Sequence, residues 1–248
     1  MDKVVLITGG SRGIGAATAR AAARDGWRVV LSYRSDAEAA KGVVCDIAAA
    51  GGMAEAMCGD IEQEADVTAL FAKCHERFGR LDGLVNNAGI LPPVGRFEDI
   101  DLARWTHTFA INTTGTFLCC RQAVRTMSPR YGGRGGVIVN LSSMAATLGG
   151  PMEFTDYAAS KGAVESLTTG LAKELGPDDI RVNCVRPGLI DTDIHESAGD
   201  AARVARLAKG VPLGRAGTAQ ETAEAIVFLL SDAASYITGS ILSVSGGR

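Results

Sequence analysis

The chain has 248 residues, 46% hydrophobic and 21% charged, with a formal net charge of −3 at pH 7. That length admits one large α/β domain with a sizeable core, and the charged fraction is that of a globular protein and not of a disordered tail. No run of Lys and Arg forms the basic stripe that a nucleic-acid backbone requires, and no segment approaches the ~20 apolar residues of a membrane-spanning helix.

Short β-branched apolar runs alternate with longer, alanine-rich stretches from the start of the chain. Val4–Ile7 is the first predicted strand, directly after Met1-Asp2-Lys3, which leaves no room for a signal peptide. Residues 13–25 follow as a helix, 28–32 as a strand and 36–50 as a helix. Ala54–Cys58 is a weaker strand, and 62–78 a helix with Val67, Leu70 and Phe71 on one face. Residues 81–85 form a fourth strand, 101–127 one long helical region, 137–141 a buried strand and 157–175 a helix. Residues 180–185, 220–230 and Ile241–Val244 complete the series as strand, helix and strand. Strands apolar on both faces and separated by helices predict a parallel sheet covered on both sides. With right-handed crossovers it becomes doubly wound. The expected fold class is therefore α/β: a single Rossmann-type domain over residues 1–248, with a parallel sheet of about seven strands and helices on both faces. The least regular stretches, 91–96, 128–136, 144–156 and 191–212, mostly follow strand C-terminal ends, where such sheets bind ligands.

Four sequence features carry chemistry. The first strand runs into Thr8-Gly9-Gly10-Ser11-Arg12-Gly13-Ile14-Gly15 and then a helix. Glycines there permit a tight turn and let a diphosphate approach the helix N-terminus. The second strand ends in Ser32-Tyr33-Arg34-Ser35, with no acid before Asp36. A carboxylate in that place would grip an unphosphorylated ribose, whereas Arg34 and Arg12 offer planar donor forks for a 2′-phosphate. Tyr157 and Lys161 stand four residues apart, on one face of a helix, and none of the other tyrosines has lysine at that offset. An ammonium beside a phenol stabilises the phenolate and lowers its pKa from about 10. Ser143, after the strand at 137–141, can polarise a carbonyl, and Ser142 competes for that role.

These motifs, in this order, resemble the short-chain dehydrogenase/reductase family, in particular its 3-oxoacyl-carrier-protein reductases and glucose 1-dehydrogenase-like members. The resemblance runs from Thr8–Gly15 through Asn86-Asn87-Ala88-Gly89, Asn140-Leu141-Ser142-Ser143, Tyr157-x-x-x-Lys161 and Pro187-Gly188, nearly the whole chain. It implies a nicotinamide cofactor, and the basic Arg12 in the loop implies NADP(H) over NAD(H). By the same resemblance Gly9, Ser11, Arg12, Gly13, Ile14 and Gly15 form the diphosphate loop, with Tyr33 and Arg34 beside it. Asp60 and Ile61 edge the adenine, Asp60 having a plain alternative as a helix cap. Asn86, Asn87, Ala88 and Gly89 flank the adenosine half, and Pro187, Gly188, Ile190 and Thr192 hold the nicotinamide end. The implied tetrad is Asn112, Ser143, Tyr157 and Lys161. Tyr157 is its acid/base, Lys161 lowers the tyrosine pKa and bonds the nicotinamide ribose, and Asn112 holds a water that links Lys161 to solvent. The segment between Ser143 and Tyr157 is about one residue longer than the family's.

The implied function is an NADP(H)-dependent oxidoreductase that interconverts a carbonyl and a secondary alcohol. An NAD-dependent alcohol or sugar dehydrogenase is the alternative, and a non-catalytic nucleotide-binding scaffold is a third reading that the filled tetrad disfavours. A methyltransferase would use the glycine loop but not Tyr157, Lys161 and Ser143. Candidate substrates are 3-oxoacyl thioesters, sugars, and small ketones or aldehydes. Arg121, Arg125 and Arg130 can seat an acidic carrier protein, while Asp191, Asp193, Glu196 and Asp200 disfavour an anionic substrate. Neither the six cysteines nor the three histidines have metal-ligand spacing, so no metal and a reducing, cytoplasmic setting are expected. His195 is read as part of a loop that covers substrate, Glu153 as facing solvent, Trp105 as core or interface, and Cys119 and Cys120 as packing residues. The family's interfaces map to 101–127, 157–175 and 236–248, and the small Ala158, Ala159, Gly162 and Ala163 allow close approach, so a homotetramer is expected.

Overall fold

A computed structural model describes residues 3–248, apart from the side chains of His195 and Ser197; the readings made for Met1, Asp2 and the His195 side chain lie outside the described residues. Val4–Ile7 (β1) is buried along its whole length, as a strand covered on both faces must be. Gly13–Arg24 (α1) carries its alanines on the buried side and leads to Arg28–Tyr33 (β2), which pairs parallel with β1 with Val5 opposite Val29. Ala37–Ala49 (α2), Ala54–Cys58 (β3), Glu64–Phe78 (α3) and Gly83–Asn86 (β4) complete the first half.

The region expected to be helical over 101–127 is helical from Leu102 to Met127, with one change of helix type inside it. Leu102–Phe109 (α4) passes through a π-helical turn, Ala110–Gly115, into Thr116–Met127 (α5). Such turns widen the hydrogen-bond ladder and re-aim the side chains they carry; this one carries Asn112. Gly136–Leu141 (β5), the short Ala145–Leu148 (α6), Thr155–Leu175 (α7) and Ile180–Pro187 (β6) follow. The segment expected to be irregular over 191–212 contains Ile194–Ser197 (α8) and Arg203–Leu207 (α9). It is preceded by Ile190–Asp191 (β7), which pairs with Gly217–Thr218 (β8) in a separate two-stranded sheet. Ala219–Leu230 (α10) and Ile241–Val244 (β9) close the fold.

The main sheet has seven strands in the order β3-β2-β1-β4-β5-β6-β9, and every pairing is parallel. Alternate strand residues feed two cores. Val5, Ile7, Val29, Leu31, Val137 and Val139 pack with α1, α2 and α10. Val4, Leu6, Val30, Leu84, Ile138 and Val182 pack with α3, α5 and α7. Each such side chain stabilises the fold by roughly 1.5–3 kcal/mol when fully buried. Strand order reverses between β1 and β4, which places the ligand crevice at their C-terminal ends. Among the described residues no helix is long and apolar enough to cross a membrane, and no cluster of His, Cys, Asp and Glu could hold a metal ion.

Candidate active site

A cleft of about 930 Å³ opens over those strand ends. At its floor Gly9 (φ +63°) and Gly13 (φ +54°) take left-handed conformations that suit glycine alone. A Cβ on Gly10 would lie 2.5 Å from that of Leu31, and one on Gly15 would collide with the Gly9 carbonyl and the Asn87 amide. Gly9, Ser11, Arg12, Gly13 and Ile14 line the cleft, whereas Gly15 packs behind the loop. Helix α1 begins with no side-chain cap and no acid in its first turn, so its positive end is left for an anion. The cradle therefore fits a dinucleotide diphosphate.

Asn87 fastens this loop. Its Nδ2 donates to the carbonyls of Thr8 and Gly9, both at 2.9 Å, and Thr8 Oγ1 accepts from the Asn87 and Ala88 amides, both at 3.1 Å. Asn87, Ala88 and Gly89 line the cleft, but Asn86 does not. Asn86 is buried and donates to Asn140 Oδ1 at 2.8 Å and Cys120 Sγ at 3.2 Å. The expectation that Asn86 flanks the adenosine is corrected by the pleat, which turns its side chain toward α5.

At the other bank Tyr33, Arg34, Asp60 and Ile61 line the cleft. Asp60 Oδ1 accepts from the Glu62 amide at 3.0 Å in a local turn, and the N-cap of α3 is Gln63, so Asp60 is not that helix's cap. Asp36 caps α2 instead, accepting from the Ala39 amide at 3.0 Å. An unforeseen acid enters here: Glu62 lies 3.8 Å from the guanidinium of Arg34 and 3.4 Å from Nδ1 of His107.

At the chemistry end Tyr157 and Ser143 line the cleft together, and Ser143 Oγ accepts from the Ala145 amide at 3.2 Å. Ser142 points away, donating to Glu165 Oε1 at 2.7 Å. The geometry therefore brings Ser143, not Ser142, to the tyrosine. Lys161 Nζ donates to the Leu141 carbonyl at 2.9 Å and sits 5.8 Å from the centre of the Tyr157 ring. Burial pushes the Lys161 ammonium down to about 8. Burial also pushes the Tyr157 phenol above its usual value, Ser143 opposing it. Burial is what moves the Tyr157 phenol in the single chain, while the Lys161 ammonium is held against a backbone carbonyl.

Asn112 is buried on the π turn and does not line the cleft. It accepts from the Ile90 amide at 2.9 Å and donates to the Ile90 carbonyl and Ser160 Oγ, both at 3.1 Å. A Cβ on Gly89 would lie 3.0 Å from Asn112 Oδ1 and 3.3 Å from Lys161 Nζ, so the glycine lets the two approach one another. Pro187, Gly188, Ile190 and Thr192 line the far wall. The Gly188 amide donates to the Val244 carbonyl at 2.9 Å, and Thr192 reaches the glycine loop beside Gly13.

Several residues of this end carried no sequence signal. Arg203, on α9, donates to both oxygens of Glu153 at 2.6 and 2.7 Å, so Glu153 is paired and half-buried where solvent exposure was expected. Arg203 also stacks 4.8 Å over Phe154, which meets Tyr157 edge-on at 5.8 Å. Arg104, on α4, holds the buried Asp156 at 2.8 and 3.1 Å. Elsewhere Arg121 pairs with Glu64 and Arg130 with Asp178, which neutralises two of the three arginines considered for a carrier protein. Trp105 stacks on Phe109 at 4.8 Å, and Cys119 and Cys120 are buried.

A protein-family model described as enoyl-(acyl carrier protein) reductase matches residues 9–248. The uncharacterized oxidoreductase YgfF of Escherichia coli (strain K12) is 48% identical over 245 residues, 99% of each chain. L-rhamnose 1-dehydrogenase (NAD(P)(+)) of Azotobacter vinelandii is 42% identical, covering 100% of this chain and 96% of its own. The crystal structure of a short-chain type dehydrogenase/reductase from Mycobacterium marinum superposes with a TM-score of 0.93 at 36% identity, covering 99% of this chain and 94% of that one. Glycine cradle, a cleft lined by Ser143, Tyr157 and Lys161, sheet order and relatives agree: the chain belongs to the short-chain dehydrogenase/reductase family of oxidoreductases.

Proposed function

We propose that the protein is an NADP(H)-dependent oxidoreductase that interconverts a carbonyl and a secondary alcohol, with Tyr157 as the acid/base. The observation that carries this reading is the gathering of Tyr157, Ser143 and buried Lys161 in one cleft. When bound, the nicotinamide supplies or accepts the hydride. The chain's own residues do the rest. Ser143 Oγ orients the carbonyl oxygen, and the Tyr157 hydroxyl donates its proton to that oxygen as the alcohol forms. The protonated phenol, favoured by burial, is the form that donation needs. Lys161 lies behind the tyrosine as a cation of adjustable charge, and Asn112 fastens the Ile90 segment to α7, keeping Lys161 and Gly89 in register. In oxidation the tyrosine takes the proton back.

NADP(H) is preferred because Arg12 and Arg34 line the corner beside the glycine loop while Asp36 is engaged as a helix cap. A second reading, oxidation of an alcohol or sugar with NAD as well as NADP, is favoured by the similarity to L-rhamnose 1-dehydrogenase (NAD(P)(+)). A cytoplasmic homotetramer is the proposed working form. A Cβ on Gly162 or Gly170 of α7 meets nothing within 4 Å in the single chain, and Leu102 and Phe117 on α4 and α5 are exposed; a partner helix accounts for both.

Fluorescence titration with NADPH and NADH, beside Tyr157→Phe, tests the reading. Tighter NADPH binding kept in the variant, with carbonyl reduction lost, is the expected result. Tighter NADH binding moves the assignment to the second reading, and no binding of either removes both.

A further inference from the structure

The corner read as meeting the adenosine ribose contains an acid from outside the β2–α2 turn, where Asp36 already serves as the cap of α2. Glu62, between β3 and α3, places one carboxylate oxygen 3.8 Å from Nη1 of Arg34 and the other 3.4 Å from Nδ1 of His107. Arg34 and His107 both line the cleft, and Glu62 does not. The Glu62 side chain is 17% exposed against 58% for Arg34. Its backbone is pinned, because the Glu62 amide donates to Asp60 Oδ1 at 3.0 Å and the Asp60 amide donates to Asp66 Oδ2 at 2.9 Å. The carboxylate is therefore the fixed partner of this ion pair, and the longer, more exposed arginine is the one free to turn.

The charges of the corner explain what this arrangement can do. Arg12 and Arg34 bring two cations, and Asp36 is engaged by the Ala39 amide. Asp60 Oδ1 is engaged by the Glu62 amide. Glu62 is left to offset Arg34. A 2′-phosphate must draw Arg34 from Glu62 and then sit near a held negative charge, whereas a ribose with a free 2′-hydroxyl meets neither cost.

We propose that Glu62 is a positioning residue that sets how strongly the cleft prefers a 2′-phosphorylated dinucleotide, acting through Arg34. It weakens the NADP(H) preference that Arg12 and Arg34 create and leaves the unphosphorylated dinucleotide unaffected. This inference rests on the reading of the cleft as an NADP(H) site.

The test is fluorescence titration of the full-length protein with NADPH and with NADH, for wild type, Glu62→Gln, Glu62→Asp, Arg34→Gln and the Arg34→Gln/Glu62→Gln double variant. Glu62→Gln is expected to lower the NADPH Kd about three- to tenfold, the size of releasing one partly exposed charge pair next to a phosphate. The NADH Kd is expected to stay within about twofold. Glu62→Asp should stay near wild type, and the double variant should match Arg34→Gln alone, because no arginine remains to be released. Added salt should shrink the Glu62→Gln gain. An unchanged NADPH/NADH ratio, or NADPH binding weakened by Glu62→Gln, overturns the inference while leaving the cofactor reading intact. Failure of the wild type to bind either dinucleotide overturns both. A folding defect would lower both affinities together, so the ratio separates it from the proposed effect.

Discussion

Arg203 grips Glu153 through both Nη atoms, at 2.6 and 2.7 Å, and stacks over Phe154, the ring that meets the proposed acid/base Tyr157 edge-on. The pair joins α9, in the segment after β6, to the turn that precedes α7. It thereby fixes one wall of the cleft. The arginine is only 7% exposed, so Arg203→Met leaves a half-buried carboxylate without its partner. Removing one member of a well-buried pair costs about 3–5 kcal/mol; with Glu153 30% exposed, a loss nearer 1–2 kcal/mol is expected. In kinetics the KM for the carbonyl substrate should rise about tenfold or more while the NADPH Kd moves less than about twofold. The Arg203 hydrogen bond holds the Glu153 carboxyl below its usual range. Its stabilisation is thus fully present above the unfolded carboxyl value and is lost as pH falls through the lower folded one. Acid unfolding curves of wild type and Arg203→Met should converge at low pH and separate toward neutrality. Parallel curves at all pH values would remove the ion pair as the cause.

Tyr157→Phe keeps the ring that packs on Phe154 and deletes only the hydroxyl. Loss of a positioned acid costs about 10²–10⁴ in kcat, and NADPH binding should be retained. Because burial raises the tyrosine above its usual value, the phenol stays protonated through neutrality. Carbonyl reduction should therefore hold level on the neutral side. Alcohol oxidation, which needs the phenolate, should climb from neutrality toward the region near 8 in which Lys161 loses its charge. Rate profiles in both directions check this, and an oxidation rate that peaks below neutrality would contradict it.

Much of this was legible because it is local. The strand runs, the glycine loop and the Tyr157–Lys161 spacing each depend on residues close in sequence. Two departures have the same origin in phase. Asn86 and Asn87 are adjacent, and only the pleat of β4 decides that Asn87 ties the glycine loop while Asn86 bonds Asn140 inside the core. Residues 101–127 have helical periodicity throughout, yet the π turn at Ala110–Gly115 shifts that phase, which composition does not reveal. The long-range pairs had no local trace. Arg203 and Glu153 are 50 residues apart and Arg104 and Asp156 52. Each looks in sequence like an ordinary surface charge, and only the packed fold brings the partners together and removes water from them.

Arg186 and Glu165 should prove strongly coupled. Arg186 donates to Glu165 Oε1 at 2.8 Å through Nε and to Oε2 at 2.7 Å through Nη2, and Ser142 Oγ donates to the same carboxylate. Burial pushes the Glu165 carboxyl up, but the bonds from Arg186 and Ser142 outweigh it and hold the group below its usual range. Side chains of the pair are 16% and 13% exposed, so Arg186→Met leaves a largely buried, unpaired carboxylate and should cost about 3 kcal/mol. Glu165→Met alone should cost less, since Arg186 can also reach Ser243 Oγ at the exposed edge. The double variant should recover much of the Arg186→Met loss. Denaturant unfolding of the four proteins measures the cycle, and additive losses would show that the contact is not energetically shared.

Lys161→Met should make the protein more stable and inactive at once. Lys161 is buried, and its ammonium is pushed down to about 8 from 10.5. Between those two values the unfolded chain holds a proton that the folded chain has released, so stability rises with pH across the window. Below about 8 the folded protein carries a buried ammonium whose desolvation is only partly offset by the Leu141 carbonyl at 2.9 Å. A shift of this size corresponds to roughly 3 kcal/mol of unfavourable charging at pH 7. Methionine removes that cost but leaves the Leu141 carbonyl without its donor, a loss of about 1–2 kcal/mol. The net expectation is a gain of roughly 1–2 kcal/mol at pH 7 that fades above pH 10, with turnover lost because the cation behind Tyr157 is gone. Thermal unfolding of both proteins from pH 7 to 10.5 measures it. A variant less stable than wild type at pH 7 would mean that the Leu141 hydrogen bond outweighs the burial of the charge.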